Sequence, residues 1–206
     1  MRYPNGRLIV FAKAPVPDAV KTRLIPALGA DGAAALAGRL IARTLDMARR
    51  SAAAPLELHV DPDAAHPFFL SLAEAPPMVA QQGSDLGKRM HHALTAALRG
   101  TDFAVLIGTD CPGMDGNYLQ QACAALAEGC DAVLGPAEDG GYVLIGVRRP
   151  EPALFAGVEW GSDRVLAQTR ARIAALGWKL FELPTLWDLD RPEDLARPDA
   201  PALLSR

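Results

Sequence analysis

Short apolar runs alternate with longer segments of helical periodicity along almost the whole chain, and this alternation restricts the possible folds more than any other feature. Apolar runs bounded by Gly, Pro or Asp predict buried strands, whereas apolar residues three and four apart predict amphipathic helices. The predicted strands cover residues 8–12, 56–60, 78–80, 104–107, 132–135, 142–147 and 179–183. The predicted helices cover residues 33–48, 67–73, 86–98, 117–126 and 165–176, with a short one from Pro192.

Strands that alternate with helices form a sheet that is covered by helices on both faces. We therefore predict an α/β fold, a three-layer α/β/α sandwich around a mixed, mostly parallel sheet. The sheet is mixed because no helix separates the runs 132–135 and 142–147, so at least one antiparallel neighbour is expected. The 206 residues suit one sizeable domain, predicted to span residues 1–206. The tail after Arg197 contains Pro198 and is expected to pack loosely.

The composition argues against several classes of protein. A formal net charge of -3 is not typical of a nucleic-acid-binding protein, which is usually strongly basic. Three cysteines without paired metal-ligand spacing indicate neither a zinc site nor a disulfide framework. No signal peptide is recognised, and no apolar stretch approaches the roughly 18 residues of a membrane helix. We expect a cytoplasmic protein that binds neither nucleic acid nor membrane, and the sequence leaves its oligomeric state open.

The loop after the first predicted strand carries two cations. Pro15 stiffens this loop, and Lys21 and Arg23 follow it just before a helix. Because α/β sheets bind ligands at the carboxyl ends of their strands, these cations suit a phosphate site. A solvated turn with two surface cations explains the pattern equally well. The loop lacks the glycines of a P-loop at Pro15 and Val20, so side-chain cations would hold the phosphate.

A carboxylate follows the predicted strand 104–107. Asp110 lies at the tip of this run, and Pro112 ends it. Mg²⁺ binds one or two carboxylates together with substrate phosphates, so Asp110 is a candidate metal ligand. Alternatively, Asp110 caps the helix that begins near Asn117, although Asp115 lies closer to that helix. We favour the metal role.

Two further carboxylates, Asp188 and Asp190, lie two residues apart before Pro192. In an extended segment such residues face the same side, so the pair could hold a cation together with Asp110. In the alternative, Asp190 caps the helix that Pro192 begins. We interpret Asp188 as the metal ligand and Asp190 as the cap.

Two glycine-containing segments are candidates for contact with a substrate. Gln82 and Gly83 precede the predicted helix 86–98, where a base edge or a phosphate can approach closely. A plain helix start with Ser84 as its N-cap explains part of this pattern. The loop before residue 142 needs glycine as a long hairpin and also suits a substrate. Its candidate residues are Asp139, Gly140, Gly141 and Tyr142.

The order of these motifs resembles that of a known family. The motifs are Phe11-Ala12-Lys13-Ala14-Pro15, Lys21-Thr22-Arg23-Leu24, Gln82-Gly83, Asp85-Leu86-Gly87, Arg89-Met90, Ile107-Gly108-Thr109-Asp110-Cys111-Pro112, Gly135-Pro136, Asp139-Gly140-Gly141-Tyr142, Trp160-Gly161-Ser162, Asp188-Leu189-Asp190 and Glu193-Asp194-Leu195. Over nearly its whole length the chain resembles the bacterial GT-A-like transferases described as glycosyltransferases, some of them associated with arsenosugar biosynthesis. That group is related to the molybdenum-cofactor and 2-phospho-lactate nucleotidyltransferases. The chain departs from the family at Asp18, where Gly is usual, and at Ser162, where Thr is common.

The resemblance implies a GT-A-like nucleotide-diphospho-sugar transferase fold that binds a nucleotide and Mg²⁺ or Mn²⁺. The implied catalytic residues are Lys21, Arg23 and Asp110, with both cations at the phosphates. The implied nucleotide contacts are Ala12, Lys13, Ala14, Gln82, Gly83, Asp85, Gly87 and Arg89. The implied substrate contacts are Asp139, Gly140, Gly141, Tyr142, Trp160 and Ser162. The candidate metal ligands are Asp110, Asp188 and Asp190.

These observations predict a metal-dependent transferase with a nucleotide substrate and a small-molecule acceptor. We favour nucleotidyl transfer, because Lys21 and Arg23 suit a triphosphate. Glycosyl transfer from a nucleotide sugar is the alternative, and it agrees with the usual description of the family. A non-catalytic nucleotide-binding module that regulates a partner is a third interpretation. The presence of both Asp110 and Asp188 argues against it.

Overall fold

Seven strands form one sheet in the computed structural model, which describes residues 1–197 and 200–204. The strands are β1 Gly6–Lys13, β2 Leu56–Asp61, β3 Met78–Ala80, β4 Phe103–Ile107, β5 Ala132–Pro136, β6 Tyr142–Val147 and β7 Leu180–Glu182. Their order is β3-β2-β1-β4-β6-β5-β7. β6 runs antiparallel to both of its neighbours, and the other pairs are parallel. The predicted mixed, mostly parallel sheet is confirmed.

Helices connect the strands of the sheet. They are α1 Ile25–Ser51, broken at Gly29, α2 Pro67–Leu70, α3 Leu86–Ala97, α4 Gly116–Ala127, α5 Val165–Ala175 and α6 Pro201–Leu204. Short 3-10 turns cover Thr22–Leu24, Pro152–Leu154 and Pro192–Ala196. The prediction of Ser84 as the N-cap of α3 is wrong, because the carboxylate of Asp85 accepts the Lys88 backbone N–H at 2.9 Å.

Alternate residues of β1 enter two different cores. Leu8 and Val10 pack with residues of α1 and α4 on one face of the sheet. Ile9 and Phe11 pack with residues of α3 and α5 on the other. This division confirms the predicted three-layer sandwich, because a strand covered on both faces buries both of its side-chain rows.

The long helix α1 corrects one expectation from the sequence. The segment Thr22–Ser51 is long and apolar enough to cross a membrane, judged by length and composition alone. The apolar face that its periodicity predicts is buried in the fold, at Ala33, Leu36, Ala37, Leu40, Ile41, Thr44, Leu45 and Ala48. Outside this face, Arg43 donates a hydrogen bond to the Pro112 carbonyl at 2.9 Å and so holds the loop after β4.

The end of the chain packs more tightly than its prolines predict. Ala200 and Leu203 are buried in a small core with Leu36, Leu40 and Leu189. The prediction of a loose tail is therefore wrong for these residues, and Pro198 lies outside the described residues.

The strand order creates a crevice between β1 and β4. From β1 the chain moves outward to β2 and β3, and then returns to β4 on the other side of β1. Neighbouring loops leave the sheet in opposite directions at such a point, so an open α/β sheet binds ligands there, outside the carboxyl ends of the strands. The candidate active site lies at this edge.

Candidate active site

A cavity of about 560 Å³ lies at the carboxyl edge of the sheet, and we call it the first cavity. The ends of β1, β2 and β4 contribute Lys13, Asp61 and Asp110 to its wall. It brings together many residues that the sequence selects, at positions far apart in the chain. These are Ala12, Lys13, Lys21, Arg89, Asp110, Asp139, Tyr142, Asp188 and Asp190.

Lys21 is fixed within this wall. Its side chain is only 4% exposed, and its backbone adopts the left-handed region with φ of 48°. The ammonium group donates to the Leu189 carbonyl at 2.6 Å and lies 2.9 Å from Oδ1 of Asp110. The alternative of a solvated surface cation therefore fails for Lys21. Its contact with phosphate stays a prediction.

Arg23 occupies a different environment from Lys21. Its side chain is 60% exposed, and its Nη1 lies 2.6 Å from Oδ2 of Asp190. Asp190 lines the first cavity, whereas Arg23 lines a neighbouring cavity. The ion pair thus stands at the border between the two cavities.

The segment after β7 delivers Asp188 to the site. It runs beside β5, because the Leu183 amide donates to Leu134 at 2.9 Å and the Leu186 amide donates to Pro136 at 3.0 Å. At its end the Leu189 amide donates to the Asp110 carbonyl at 2.8 Å. One peptide segment therefore connects the end of β4 with the loop that carries Lys21.

Asp188 carries an unusual carboxyl group. Burial, together with the negative charges of Asp110, Asp139 and Asp190, raises its pKa from the ordinary 3.8 to about 7, and Lys21 opposes this only in part. The negative charges of these three neighbouring carboxylates thus outweigh the positive charge of Lys21 at Asp188. Mg²⁺ takes one or two carboxylates plus substrate phosphates, so Asp110 and Asp188 fit such an ion. Within residues 1–197 and 200–204, no three His, Cys, Asp or Glu side chains are grouped closely enough to hold a metal ion by themselves.

The pKa of Asp188 makes the stability of the metal-free protein depend on pH. A carboxyl whose pKa rises on folding stabilises the fold below its unfolded pKa, and this stabilisation is lost as the pH rises toward the folded value. Between pH 5 and pH 8 we expect the wild type to lose about 2 kcal/mol more free energy of unfolding than Asp188→Asn. Urea unfolding in a chelator at both pH values measures the difference. Equal pH dependence of the two proteins would contradict it.

Neither Asp110 nor Asp190 acts as a helix cap. Asp115 caps α4, because its Oδ1 accepts the Tyr118 amide at 2.8 Å, so Asp110 is not the cap. The prediction that Asp190 caps the turn at Pro192 is wrong. The side chain of Asp194 accepts the backbone N–H groups of Asp190 and Arg191 at 3.1 and 2.8 Å.

The ends of β2 and β3 supply residues that the sequence did not single out. Gln81, rather than Gln82, lines the first cavity, and its Nε2 donates to the His59 carbonyl at 3.0 Å. Arg89 lies 3.3 Å from the Asp61 carboxylate and also reaches Oε1 of Gln81. Their signal in the sequence is a polar residue directly after a predicted strand, Asp61 after residues 56–60 and Gln81 after residues 78–80.

Several predicted contact residues have structural roles at these positions. Asp85 caps α3, and Gly87 lies against Trp160, where an added Cβ would come within 2.7 Å of the indole ring. Gly83 closes on the first turn of α3, where a Cβ would meet the Arg89 amide at 2.7 Å. The predicted residues outside the walls of both cavities are Ala14, Gln82, Gly83, Asp85, Gly87 and Gly140.

A second cavity of about 320 Å³ adjoins the first. The two share Phe11, Leu86, Asp139 and Tyr142 among their lining residues. The second cavity collects the predicted substrate contacts Asp139, Gly141, Tyr142, Trp160 and Ser162, and it adds Arg23, Asp163 and Arg191. Of the predicted substrate contacts, Asp139 and Tyr142 line both cavities, whereas Gly141, Trp160 and Ser162 line only the second.

The loop between β5 and β6 connects these spaces and depends on Gly140. Oδ1 of Asp139 accepts the Gly141 amide at 2.8 Å, and the Gly140 carbonyl accepts the Leu166 amide at 2.8 Å. Gly140 has φ of 87°, and a Cβ there would collide with the backbone carbonyl of Asp163. Only glycine fits both the dihedral angle and the close approach.

Gly140→Ala is expected to destabilise the protein by about 2 kcal/mol or more, because strain at positive φ adds to a clash with immobile backbone. Gly100→Ala is the matched control, since an added Cβ there meets no atom within 4 Å. Chemical unfolding of both variants tests this. Equal stabilities would show that the loop can move away from α5.

The chain matches a known protein family and a solved structure. Residues 44–162 match the family described as "Uncharacterized protein conserved in bacteria (DUF2064)". The chain belongs to the DUF2064 family. The DUF2064 chain is also 32% identical to a proposed nucleotide-diphospho-sugar transferase from Desulfovibrio desulfuricans G20, with a TM-score of 0.85 over 98% of this chain and 94% of that one. No curated protein sequence matches it.

More distant solved structures share the fold of the DUF2064 protein. One is CMP:2-keto-3-deoxy-manno-octonic acid synthetase complexed with CTP, at 9% identity and a TM-score of 0.63, covering 96% of this chain and 98% of that one. Another is Rv0371c from Mycobacterium tuberculosis H37Rv in complex with manganese, at 18% identity and a TM-score of 0.57, covering 95% and 98%. The predicted GT-A-like nucleotide-diphospho-sugar transferase fold is confirmed.

Proposed function

We propose that the DUF2064 protein is a metal-dependent nucleotidyltransferase. An oxygen of an acceptor phosphate attacks the α-phosphorus of a nucleoside triphosphate, the new P–O bond forms, and the bond to the β-phosphate oxygen breaks to release pyrophosphate. The observation that carries this proposal is the convergence of Lys21, Asp110 and Asp188 at the carboxyl ends of β1 and β4, beside a cavity of about 560 Å³.

The side chains of the first cavity match the needs of this reaction. Phosphoryl and nucleotidyl transfer depend on positioning and charge neutralisation more than on a protein nucleophile. Lys13, Lys21 and Arg89 line the cavity and supply positive charge for a triphosphate. Asp110 and Asp188 would hold the metal ion, which supplies Lewis-acid stabilisation of the phosphate oxygens when bound.

The cysteine next to Asp110 does not serve as a nucleophile in this proposal. Burial and the nearby charge of Asp188 raise the pKa of Cys111 to about 12. A thiol with such a pKa stays protonated at neutral pH, and only the thiolate is strongly nucleophilic. Direct transfer between two bound substrates therefore agrees better with the site than a covalent enzyme intermediate.

The comparisons support a nucleotide and a metal as ligands. One protein of the same fold is complexed with CTP, and another with manganese. Both are under 25% identical to this chain, so they support the proposal through the fold alone.

Glycosyl transfer is a second candidate. The relative at 32% identity is a proposed nucleotide-diphospho-sugar transferase, and it matches almost the full length of this chain. In that reaction the same carboxylates and metal would stabilise a departing nucleoside diphosphate. The first cavity suits a nucleoside triphosphate or a nucleotide-diphospho-sugar, since both donors contain a nucleoside diphosphate unit.

The products distinguish the two reactions. The purified protein is incubated with Mg²⁺, a small-molecule extract of bacteria, and each nucleoside triphosphate or nucleotide sugar in turn. We expect pyrophosphate from one triphosphate, and none from the Asp110→Asn protein. Release of a nucleoside diphosphate from a nucleotide sugar would assign glycosyl transfer instead. If neither pyrophosphate nor a nucleoside diphosphate forms in any reaction, both nucleotidyl transfer and glycosyl transfer are overturned.

A further inference from the structure

The second cavity has an apolar body and a charged border. Its walls come from β4, β6, α3 and α5, and they include Leu106, Met90 and Val165, which are buried in the fold. Trp160 contributes an aromatic wall. A cavity of this size, with apolar walls and polar groups placed at one border, suits a small organic molecule.

The aromatic wall is held in place before any ligand binds. Trp160 stacks on Phe155 with ring centroids 6.4 Å apart, and its indole lies against the Cα of Gly87. The loop around it is fixed, because Glu159 accepts Gln168 Nε2 at 2.9 Å and also pairs with Arg164. A fixed wall lowers the entropy cost of binding.

The charged border points to the nature of the ligand. Arg23 lines the second cavity while its guanidinium contacts Asp190, which lines the first cavity. Arg191 also lines the second cavity, and it forms no ion pair with residues 1–197 or 200–204. Three carboxylates lie near this border: Asp190 pairs with Arg23, Asp139 acts electrostatically on Asp188, and Asp163 is exposed to solvent. Guanidinium groups bind phosphate bidentately, so this border suits a phosphate group.

We infer that the second cavity binds the acceptor, a phosphate monoester of an apolar, ring-containing molecule. The ring lies beside Trp160, and Arg23 and Arg191 hold the phosphate at the border, from which an oxygen reaches the nucleotide in the first cavity. This inference rests on the proposed nucleotidyl transfer, which requires an acceptor phosphate. It assigns Arg23 to the acceptor, and leaves Lys21 for the triphosphate.

Phenyl phosphate is the probe, and the indole N–H signals of the full-length ¹⁵N-labelled protein are the readout. The chain has three tryptophans, so Trp160→Phe identifies the Trp160 signal. We expect phenyl phosphate to shift this signal, and to bind roughly tenfold or more tightly than benzyl alcohol or inorganic phosphate. If benzyl alcohol or inorganic phosphate binds as tightly as phenyl phosphate, the inference is overturned. Benzoate binding more tightly than phenyl phosphate would overturn the phosphate assignment.

Three variants test the location of the probe. Arg191→Ala and Gly87→Ala should each weaken phenyl phosphate binding roughly tenfold, the first by removing a charge-assisted hydrogen bond and the second by displacing Trp160. Arg99→Ala is the control, because Arg99 is exposed and lies outside both cavities. Unchanged binding in both test variants would overturn the inference. Triphosphate binding with Mg²⁺, measured in parallel, separates this failure from failure of the proposed function.

Discussion

Asp110→Asn is expected to abolish metal-dependent turnover, with a loss of about a hundredfold or more in kcat/KM. The amide has nearly the same shape as the carboxylate, but it lacks the charge that would hold the metal in the proposed site. The Asp110 side chain is 52% exposed, and the amide oxygen can still accept a hydrogen bond from Lys21. The free energy of unfolding should therefore change by no more than about 1 kcal/mol.

The other two candidate ligands sharpen this experiment. Asp188→Asn should show the same loss of turnover, because Asp188 shares its electrostatic environment with Asp110. Asp190→Asn should keep its metal response, since the Asp190 carboxylate already pairs with Arg23. Kinetics across a Mg²⁺ titration measures all three variants. Full activity of folded Asp110→Asn would remove it from the metal site, and an inactive Asp190→Asn would move the second ligand to Asp190.

Lys21→Met is expected to damage stability and nucleotide binding together. It leaves the Leu189 carbonyl and the Asp110 carboxylate without their shared donor, and a buried acceptor without a partner costs about 1–3 kcal/mol. Nucleotide affinity should fall by about 1.5–3 kcal/mol, the range for hydrogen bonds to charged groups. Urea unfolding and calorimetry with Mg²⁺ and a triphosphate measure the two effects.

Arg23→Met is the matched control for stability. The Arg23–Asp190 pair is exposed, and exposed ion pairs contribute about 0–1 kcal/mol. If Lys21→Met proves as stable as Arg23→Met, the buried contacts of Lys21 are not important for folding. If it also binds the triphosphate normally, Lys21 has no role at the phosphates.

The sheet and the edge that carries the site follow from patterns local in sequence. The runs before Lys13 and Asp110 are apolar on both faces and end at breakers, so each predicts a buried strand and its polar tip. The antiparallel position of β6 follows from the missing helix before Tyr142. These features depend on the periodicity of a few residues, which the sequence displays directly.

Other parts of the site depend on pairings that no local pattern contains. β3 has three residues, and a shift of one residue exchanges the two faces of a strand, so Gln81 and Gln82 cannot be distinguished beforehand. The cap at Pro192 comes from Asp194, which reaches back along the turn, while Asp190 pairs with an arginine 167 residues away. The family resemblance implied a nucleotide contact at Gly87, but the group that lies against Gly87 is Trp160.

The backbone of Leu189 connects two segments that are distant in sequence, because its N–H donates to the Asp110 carbonyl and its own carbonyl accepts from the Lys21 ammonium. The family match over residues 44–162 contains Asp110 but neither Lys21 nor Asp188. During synthesis, a nascent chain that has emerged through β6 already contains Lys21 and Asp110. It still lacks the Asp188 carboxylate and the Leu189 backbone groups that contact both residues. The proposed metal and phosphate groups are therefore expected to reach their mutual geometry only after the segment with Asp188 and Leu189 has been synthesised and has packed beside β5.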